Sequence, residues 1–187
     1  LYIADSGYHR VRKVDSAGVI TTVAGNGRAG FGGDGGSATA AELNEPSGVA
    51  VDTAGNLYVA DSANNRVRMI MPEGIISTVA GDGVCQVFTS CFSGDGGSAR
   101  AAQLNRPSAI AVDSAGNLYV ADTNNFRIRK VSLDGIIHTI AGTDGYVYNR
   151  DGIEAISATL GFPQYLVVDA FGNVYVSDGW NNRIRRL

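Results

Sequence analysis

Few residues in this sequence have the type and spacing needed for acid–base or nucleophilic chemistry. The two histidines, His9 and His138, lack the H-x-x-E and H-E-x-x-H spacings that hold a catalytic metal. The sequence has no G-x-S-x-G segment that would expose a nucleophilic serine. The sequence therefore predicts no catalytic residues, and the question of enzymatic activity stays open with a binding role favoured.

Metal sites are only weakly suggested. Calcium takes six to eight oxygen ligands, and the best acidic cluster is Asp144, Asn149 and Asp151. We predict no cofactor, and calcium is the alternative. Cys85 and Cys91 have no nearby cysteine or histidine to complete a zinc site. They predict a local disulfide of the kind used in secreted proteins, and two free loop thiols are the alternative.

An internal repeat organises these residues. Aspartates of the repeated unit are separated by 56, 61 and 56 residues. The four copies are YIADSGYHRVRKV (2–14), YVADSANNRVRMI (58–70), YVADTNNFRIRKV (119–131) and YVSDGWNNRIRRL (175–187).

Each period contains several short strand-like runs. In the second copy they cover residues 46–52, 56–61, 66–70 and 74–81, with glycine turns between them. Four antiparallel strands per period predict one blade of a β-propeller.

These segments resemble the NHL repeat family over essentially the whole chain. The most specific elements are P-x-x-[VIL]-[AV]-V-D-x-x-G-N-[LV]-Y-V-[AS]-D and the following N-[NF]-R-[IV]-R. The resemblance implies an all-β propeller of four-stranded antiparallel blades, with the first strand of each blade lining the central channel and the fourth outermost. A closed ring of this family usually has about six blades, so the chain is an incomplete ring of about 3.5 blades. The period exceeds that of the usual family blade because the connections between blades are long.

We interpret residues 1–187 as a single partial propeller. Two full blades are flanked by a blade without its inner strand and a blade without its outer strand, and three long loops connect them. The blades cover 1–25, 46–81, 107–142 and 163–187, and the loops 26–45, 82–106 and 143–162. Open sheet edges favour association, so we expect the ring to be completed by the rest of a longer chain or by self-association.

One face of the propeller is predicted to carry every long or variable segment, because the second-to-third strand loops and the interblade loops emerge there. The second-to-third strand loops read SGYH, SANN, TNNF and GWNN. Exposed aromatic residues are common anchors for partners, and coverage of interblade surface is the alternative. The candidate ligand-binding residues are Tyr8, His9, Phe126, Trp180, Tyr146, Arg28, Arg100 and Arg150.

The interblade loops share a motif in which an aromatic residue precedes an aspartate by three positions. We expect the aromatic residue and a following leucine to fix the loop to a blade, while the aspartate holds amides of the glycine turn. Ser37 and Ser98 are placed to cap a short helical turn. The motif pairs are Phe31 and Asp34, Phe92 and Asp95, and Tyr148 and Asp151.

Of 15 lysines and arginines, 11 lie in the four third-strand copies. We expect them to be structural, with arginine stems against neighbouring surface and pairing to aspartates such as Asp61 and Asp122. Asp52, Asp113 and Asp169 are interpreted as turn-stabilising residues.

A net charge of −3 gives no general attraction to phosphate backbones or anionic membranes. We therefore predict a binding or scaffold module for a protein, peptide or glycan, extracellular or in the cell envelope, and of bacterial origin. The first alternative is a metal-dependent lyase or hydrolase whose site is completed by other blades. An RNA-binding propeller is the second.

Overall fold

A computed structural model describes residues 1–85 and 91–187. The described chain is all-β and forms four antiparallel sheets of three, four, four and three strands. This confirms the predicted all-β fold of antiparallel propeller blades, with four strands in each of the two middle sheets. The strands are β1 (Tyr2–Asp5), β2 (Arg10–Val14), β3 (Ile20–Ala24), β4 (Pro46–Val51), β5 (Leu57–Asp61), β6 (Arg66–Ile70), β7 (Ile76–Ala80), β8 (Pro107–Val112), β9 (Leu118–Asp122), β10 (Arg127–Val131), β11 (Ile137–Ala141), β12 (Pro163–Val168), β13 (Val174–Asp178) and β14 (Arg183–Arg186).

The strand register defines the two faces of the propeller. In the second sheet Pro46, Asp61 and Arg66 are aligned at one end, which we call the loop-rich face. At the other end a tight turn joins β4 to β5, and Gly55 there has a φ of 88°, a conformation that glycine adopts without strain. The second-to-third strand loops and both ends of each interblade connector therefore meet at the loop-rich face.

The first strands of the blades, β4, β8 and β12, contact one another in sequence around the axis. Gly48 shows how close they are, since a Cβ there would lie 2.6 Å from the carbonyl oxygen of Ser108. The inner strands thus pack backbone against backbone and line the central channel.

The interblade connectors contribute a large part of the core. In each connector an alanine and a leucine are buried between consecutive blades, and a three-residue 3₁₀ turn precedes them. These wedge residues are Ala41 and Leu43, Ala102 and Leu104, and Ala158 and Leu160. The expectation that the leucine fixes the loop to a blade is confirmed.

The middle of each of the first two connectors leaves the loop-rich face. The amide of Ala38 donates to the carbonyl of Gly74 at 2.8 Å, next to the far end of β7. The prediction that these long segments belong wholly to one face is therefore wrong for residues around Ser37 and Ser98, which form bridges with Ile75 and Ile136, directly before the outer strand of the next blade. An outer strand has a free hydrogen-bonding edge, and the connector covers part of it.

Ser37 and Ser98 do not cap the short turns with their side chains. The prediction was wrong because the turns are single 3₁₀ turns, in which the amides of Ala40 and Ala101 already donate to the serine backbone carbonyls.

The side of the fourth sheet that faces away from the third is apolar and exposed, with Tyr165, Val167 and Ile184 at 70%, 61% and 72% exposure. Among the described residues, no helix has the length and apolar character of a membrane span.

Candidate functional site

A buried ion-pair network fixes the loop-rich face to the blades. Arg68 is 0% exposed and lies 3.3 Å from Asp61 of its own blade and 2.7 Å from Asp34 of the connector. The same arginine also donates to the carbonyl oxygen of Gly32. Arg129 and Arg185 repeat the arrangement with Asp122 and Asp95, and with Asp178 and Asp151. The predicted pairing of third-strand arginines with these strand-end aspartates is confirmed.

The connector aspartates therefore differ from the expectation. Asp34 and Asp95 pair with buried arginines instead of holding the amides of the glycine turn. A guanidinium that has lost its water needs an acceptor for each remaining N–H group, and Asp34 accepts from Nη2 of Arg68 at 2.7 Å. The aromatic residue of each connector packs against another arginine, the first residue of the third strand in the following blade. The guanidinium carbon is 3.7, 3.8 and 3.9 Å from the ring centroid in Arg66–Phe31, Arg127–Phe92 and Arg183–Tyr148.

Burial raises the pKa of Asp122 to about 6, although the Asn105 amide, the Asn125 side chain and Arg129 stabilise its charged form. Burial likewise raises the pKa of Asp61. Arg68 and Arg129 are enclosed within the blades, so neither is available to a phosphate backbone.

On the opposite face the carboxylates have the predicted turn role. Asp52 accepts hydrogen bonds from the amides of Ala54 and Asn56 and from the Tyr58 hydroxyl. Asp113 and Asp169 repeat this arrangement.

The mouth of the channel on the loop-rich face opens into a cavity of about 580 Å³. We call each contact around this mouth a joint: the last residue of a second-to-third strand loop meets the residue before the inner-strand proline of the next blade. At the first joint the Nδ1 of His9 accepts the Glu45 amide at 3.2 Å. At the second, the Oδ1 of Asn65 accepts the Arg106 amide at 2.8 Å. Glu45 and Arg106 are also ion-paired across the mouth.

A chain of hydroxyl groups accompanies the joints. The Ser47 and Ser62 hydroxyls are hydrogen-bonded, and Ser62 also donates to the carbonyl of Pro107 in the next blade. Ser108 and Thr123 repeat the pattern toward the carbonyl of Pro163 at 2.7 Å. The hydroxyls at the channel mouth therefore link one blade to the next.

At the third joint three of the predicted rim aromatics come together with a fourth. Phe126 lies 5.7 Å from Tyr146 and 5.6 Å from Trp180, measured between ring centroids. Trp180 stacks on Phe162 at 5.1 Å with an interplanar angle of 5°. Trp180 and Tyr146 are 55% and 52% exposed. We call Phe126, Tyr146, Phe162 and Trp180 the aromatic cluster.

The other predicted rim residues are not part of this cluster. His9 lines the cavity at the first joint, and Tyr8 beside it is exposed. Arg28 and Arg150 are exposed in their connectors. Arg100 lines a separate groove with Tyr58 and residues 131–136, which include the turn between β10 and β11 on the opposite face.

The calcium candidates of the third connector have protein partners. Asp144 pairs with Arg127, Asp151 with Arg185, and the Asn149 side chain binds the carbonyl of Ser157 and the amide of Thr159. Within residues 1–85 and 91–187 no group of three or more His, Cys, Asp or Glu residues is placed to hold a metal ion.

The disulfide between Cys85 and Cys91 is formed. The Asn65 side chain donates to the carbonyl of Cys85, and Asn125 binds both the amide and the carbonyl of Cys91. The covalent link is therefore fixed to the second and third blades at the loop-rich face.

The sequence analysis missed Glu45, Arg106, Phe162 and Gln164 at the channel mouth. A difference between copies could have identified three of them. The residue before the inner-strand proline is Glu, Arg or Phe, although the surrounding segments repeat closely. Variation at one position of a repeat marks a residue that the blade itself does not require.

Comparison with known proteins gives a family and a fold. The family model described as the Teneurin NHL domain matches residues 26–92 and 79–150. Human teneurin-4 is 43% identical over 97 residues, which are 48% of this chain and 4% of that protein.

Two solved structures are similar in fold. A protein of unknown function from Bacteroides thetaiotaomicron has a TM-score of 0.74 at 22% identity, and the match covers 99% of this chain and 43% of that one. Virginiamycin B lyase from Staphylococcus aureus has a TM-score of 0.58 at 14% identity, with 100% and 47% covered. At these identities the likeness concerns the fold alone. The present chain thus spans a small part of teneurin-4 and under half of either solved chain.

The raised pKa of Asp122 gives a pH prediction. Because the folded state favours the protonated carboxyl, its stabilising contribution is complete below about pH 4 and is lost as the pH rises through about 6. We expect the difference in unfolding free energy between the natural chain and Asp122→Asn to decline over this interval, by at most about 1.4 kcal/mol per pH unit. Urea denaturation monitored by circular dichroism at several pH values measures it.

Asp169→Asn is the control. Hydrogen bonds from Asn173 lower the pKa of Asp169, so its contribution is present above about pH 4 and is lost only below that value. A difference for Asp122→Asn that stays constant from pH 4 to 6 would contradict the prediction.

Proposed function

Since the chain belongs to the teneurin NHL domain family, we propose that it is a non-enzymatic binding or scaffold module that engages a protein, peptide or glycan through its loop-rich face. One observation carries the proposal. Phe126, Tyr146 and Trp180, which come from three different loops, meet in a single cluster that leaves large aromatic surface in contact with solvent.

Such a cluster has the chemistry of a binding hot spot. Tyrosine and tryptophan bury a large area for few rotatable bonds, and they dominate interface energetics when a partner removes them from water. The cluster rests on blades held by buried ion pairs, so its rings are positioned before a partner arrives. Preorganised contacts of this kind lose little entropy on binding.

We expect the double substitution Trp180→Ala and Tyr146→Ala to weaken partner binding by about thirtyfold, the loss typical of one hot-spot residue. The partner is first captured on the immobilised natural chain from the surface and secreted molecules of the source cells. The dissociation constant of the recovered partner is then measured for both proteins by surface plasmon resonance.

Phe171→Ala is the matched control, because Phe171 is 92% exposed in a hairpin turn on the opposite face. It should leave the dissociation constant unchanged. Equal losses for the cluster variant and for Phe171→Ala, or no loss for either, would contradict a site on the loop-rich face.

We further propose an extracellular or cell-envelope location, supported by the Cys85–Cys91 disulfide. The relative compared above is an animal protein, whereas one fold neighbour comes from Bacteroides and another from Staphylococcus. A bacterial source therefore stays a prediction.

In protein isolated from its native source without reductant, Cys85 and Cys91 should not react with iodoacetamide after denaturation, because they are joined to each other. Peptide mass spectrometry of the alkylated protein measures this, with a reduced sample as the positive control. Alkylation of both residues in the unreduced sample would argue for a reducing compartment.

We also propose that a further blade covers the open side of the fourth sheet, supplied by the rest of a longer chain or by another copy. Tyr165 and Ile184 are exposed there, while the corresponding Ala109 and Ile128 of the third sheet are buried beneath the fourth. The same positions thus change from buried to exposed where no next blade is present.

The isolated 187-residue chain should accordingly self-associate with rising concentration, and Ile184→Glu should reduce this association, since burying an unpaired carboxylate is unfavourable. Sedimentation velocity over a concentration series measures the effect, with Phe171→Glu as the control that removes an exposed apolar residue elsewhere. A chain that remains monomeric throughout the series would contradict the supply of this blade by another copy.

A further inference from the structure

The three joints of the channel mouth are built from equivalent positions, so each serves as an internal reference for the others. At the first two joints a polar side chain, His9 or Asn65, accepts the backbone amide of Glu45 or Arg106. The third joint places phenylalanine on both sides. The Phe126 side chain has no nitrogen or oxygen that can accept the Phe162 amide, and that amide has no acceptor among the residues that the structure describes.

The backbone at this joint keeps the shape of the other two. Phe126 and Phe162 have φ values of 56° and 57°, in the left-handed region that bulky side chains rarely adopt. Asparagine tolerates this region far better than phenylalanine, and the equivalent Asn65 occupies it in the second blade. The third joint therefore retains a strained conformation while losing the hydrogen bond found at its neighbours.

The hydroxyl chain also ends at this joint. Gln164 occupies the place of Ser47 and Ser108, and Gly179 the place of Ser62 and Thr123. Gln164 is exposed, and no partner for its side-chain amide occurs in the described parts of the chain. A backbone donor and a carboxamide are thus left open beside the aromatic cluster.

From this geometry we infer that the third joint binds an extended peptide segment, with an apolar side chain of the peptide against Trp180 and Tyr146. A peptide carbonyl accepts the Phe162 amide, and the Gln164 carboxamide pairs with the peptide backbone. Phe162 covers one face of Trp180, so the peptide side chain packs on the remaining exposed surface. The inference rests on the proposed binding function and specifies its partner.

Two observations favour a peptide over a glycan. Sugar recognition needs several side-chain donors and acceptors for ring hydroxyls, yet Ser62, Ser108 and Thr123 are already occupied in blade-to-blade hydrogen bonds. Among the groups that stay open, the Phe162 amide and the Gln164 carboxamide match the alternating donors and acceptors of an extended backbone.

Trp180 is the only tryptophan of the chain, so its fluorescence reports on this joint alone. The probes are acetylated, amidated peptides synthesised from the sequences enriched when a random linear heptapeptide phage library is selected on the immobilised chain. We expect saturable changes in Trp180 emission, and enriched sequences that share an apolar residue.

The control variant carries Phe126→Asn and Phe162→Arg, which copies the second joint of the same chain. It keeps Trp180 as the reporter and restores the missing hydrogen bond, so it should fold normally by circular dichroism and lose peptide binding by at least about tenfold. Gln164→Ser, which copies Ser108, should weaken binding by about threefold to tenfold.

The inference is overturned if selection yields no binding sequence, if the copied joint binds the peptides as tightly as the natural one, or if chitohexaose alters Trp180 emission while no peptide does. These results would contradict the peptide specificity without contradicting the proposed binding function. If the cellular partner is still lost on Trp180→Ala and Tyr146→Ala, the binding module stands and only its peptide specificity falls.

Discussion

A fully buried guanidinium between two carboxylates is the interaction on which the rest of this propeller depends. Arg68 connects Asp61, at the end of the second strand, to Asp34 in the connector that arrives from the preceding blade. Removing one partner of such a buried group leaves an uncompensated charge, which is far more costly than loss of a surface ion pair. The network therefore ties blade, connector and loop-rich face into one arrangement, and the arrangement repeats in later blades with Arg129 and Arg185.

The ion-pair network is the same in these blades, but the side chains at the channel mouth differ from joint to joint. The joints at Glu45 and Arg106 are polar and hydrogen-bonded, whereas the joint at Phe162 is aromatic, although all three have the same backbone conformation. Because the buried ion pairs hold the blades, a joint that lacks its own hydrogen bond is still kept in place. The ion-pair network thus allows one position of the ring to specialise without disturbing its neighbours.

The fold was predictable because its signal is repeated. Four copies of the Y-[VI]-[AS]-D segment, with glycine turns at fixed offsets, indicate the strands and the family together. The pairing of Arg68 with Asp61 was also accessible, since both occur in every complete unit. The route of the connectors could not be predicted, because contacts such as Ala38 with Gly74 join segments distant in sequence and leave no local sequence pattern.

The candidate site was predictable only in part. Differences between copies pointed to Phe126 and Trp180, and the structure brings both together with Tyr146. The same reasoning included Arg100, which lies in another groove, because position within a long loop does not fix the direction in which that loop runs. Phe162 was missed although it too differs between copies, since it was interpreted only as the last residue of the interblade loop 143–162.

In the connectors, the spacing between blades is independent of the length of the connecting chain. The second connector carries additional residues around its cysteines, yet Ala102 and Leu104 occupy the same buried positions as Ala41 and Leu43 in the first. The spacing between blades is set by these small wedges and not by the length of chain that precedes them. Insertions ahead of a wedge can therefore diversify the surface of one blade while the curvature of the propeller stays constant.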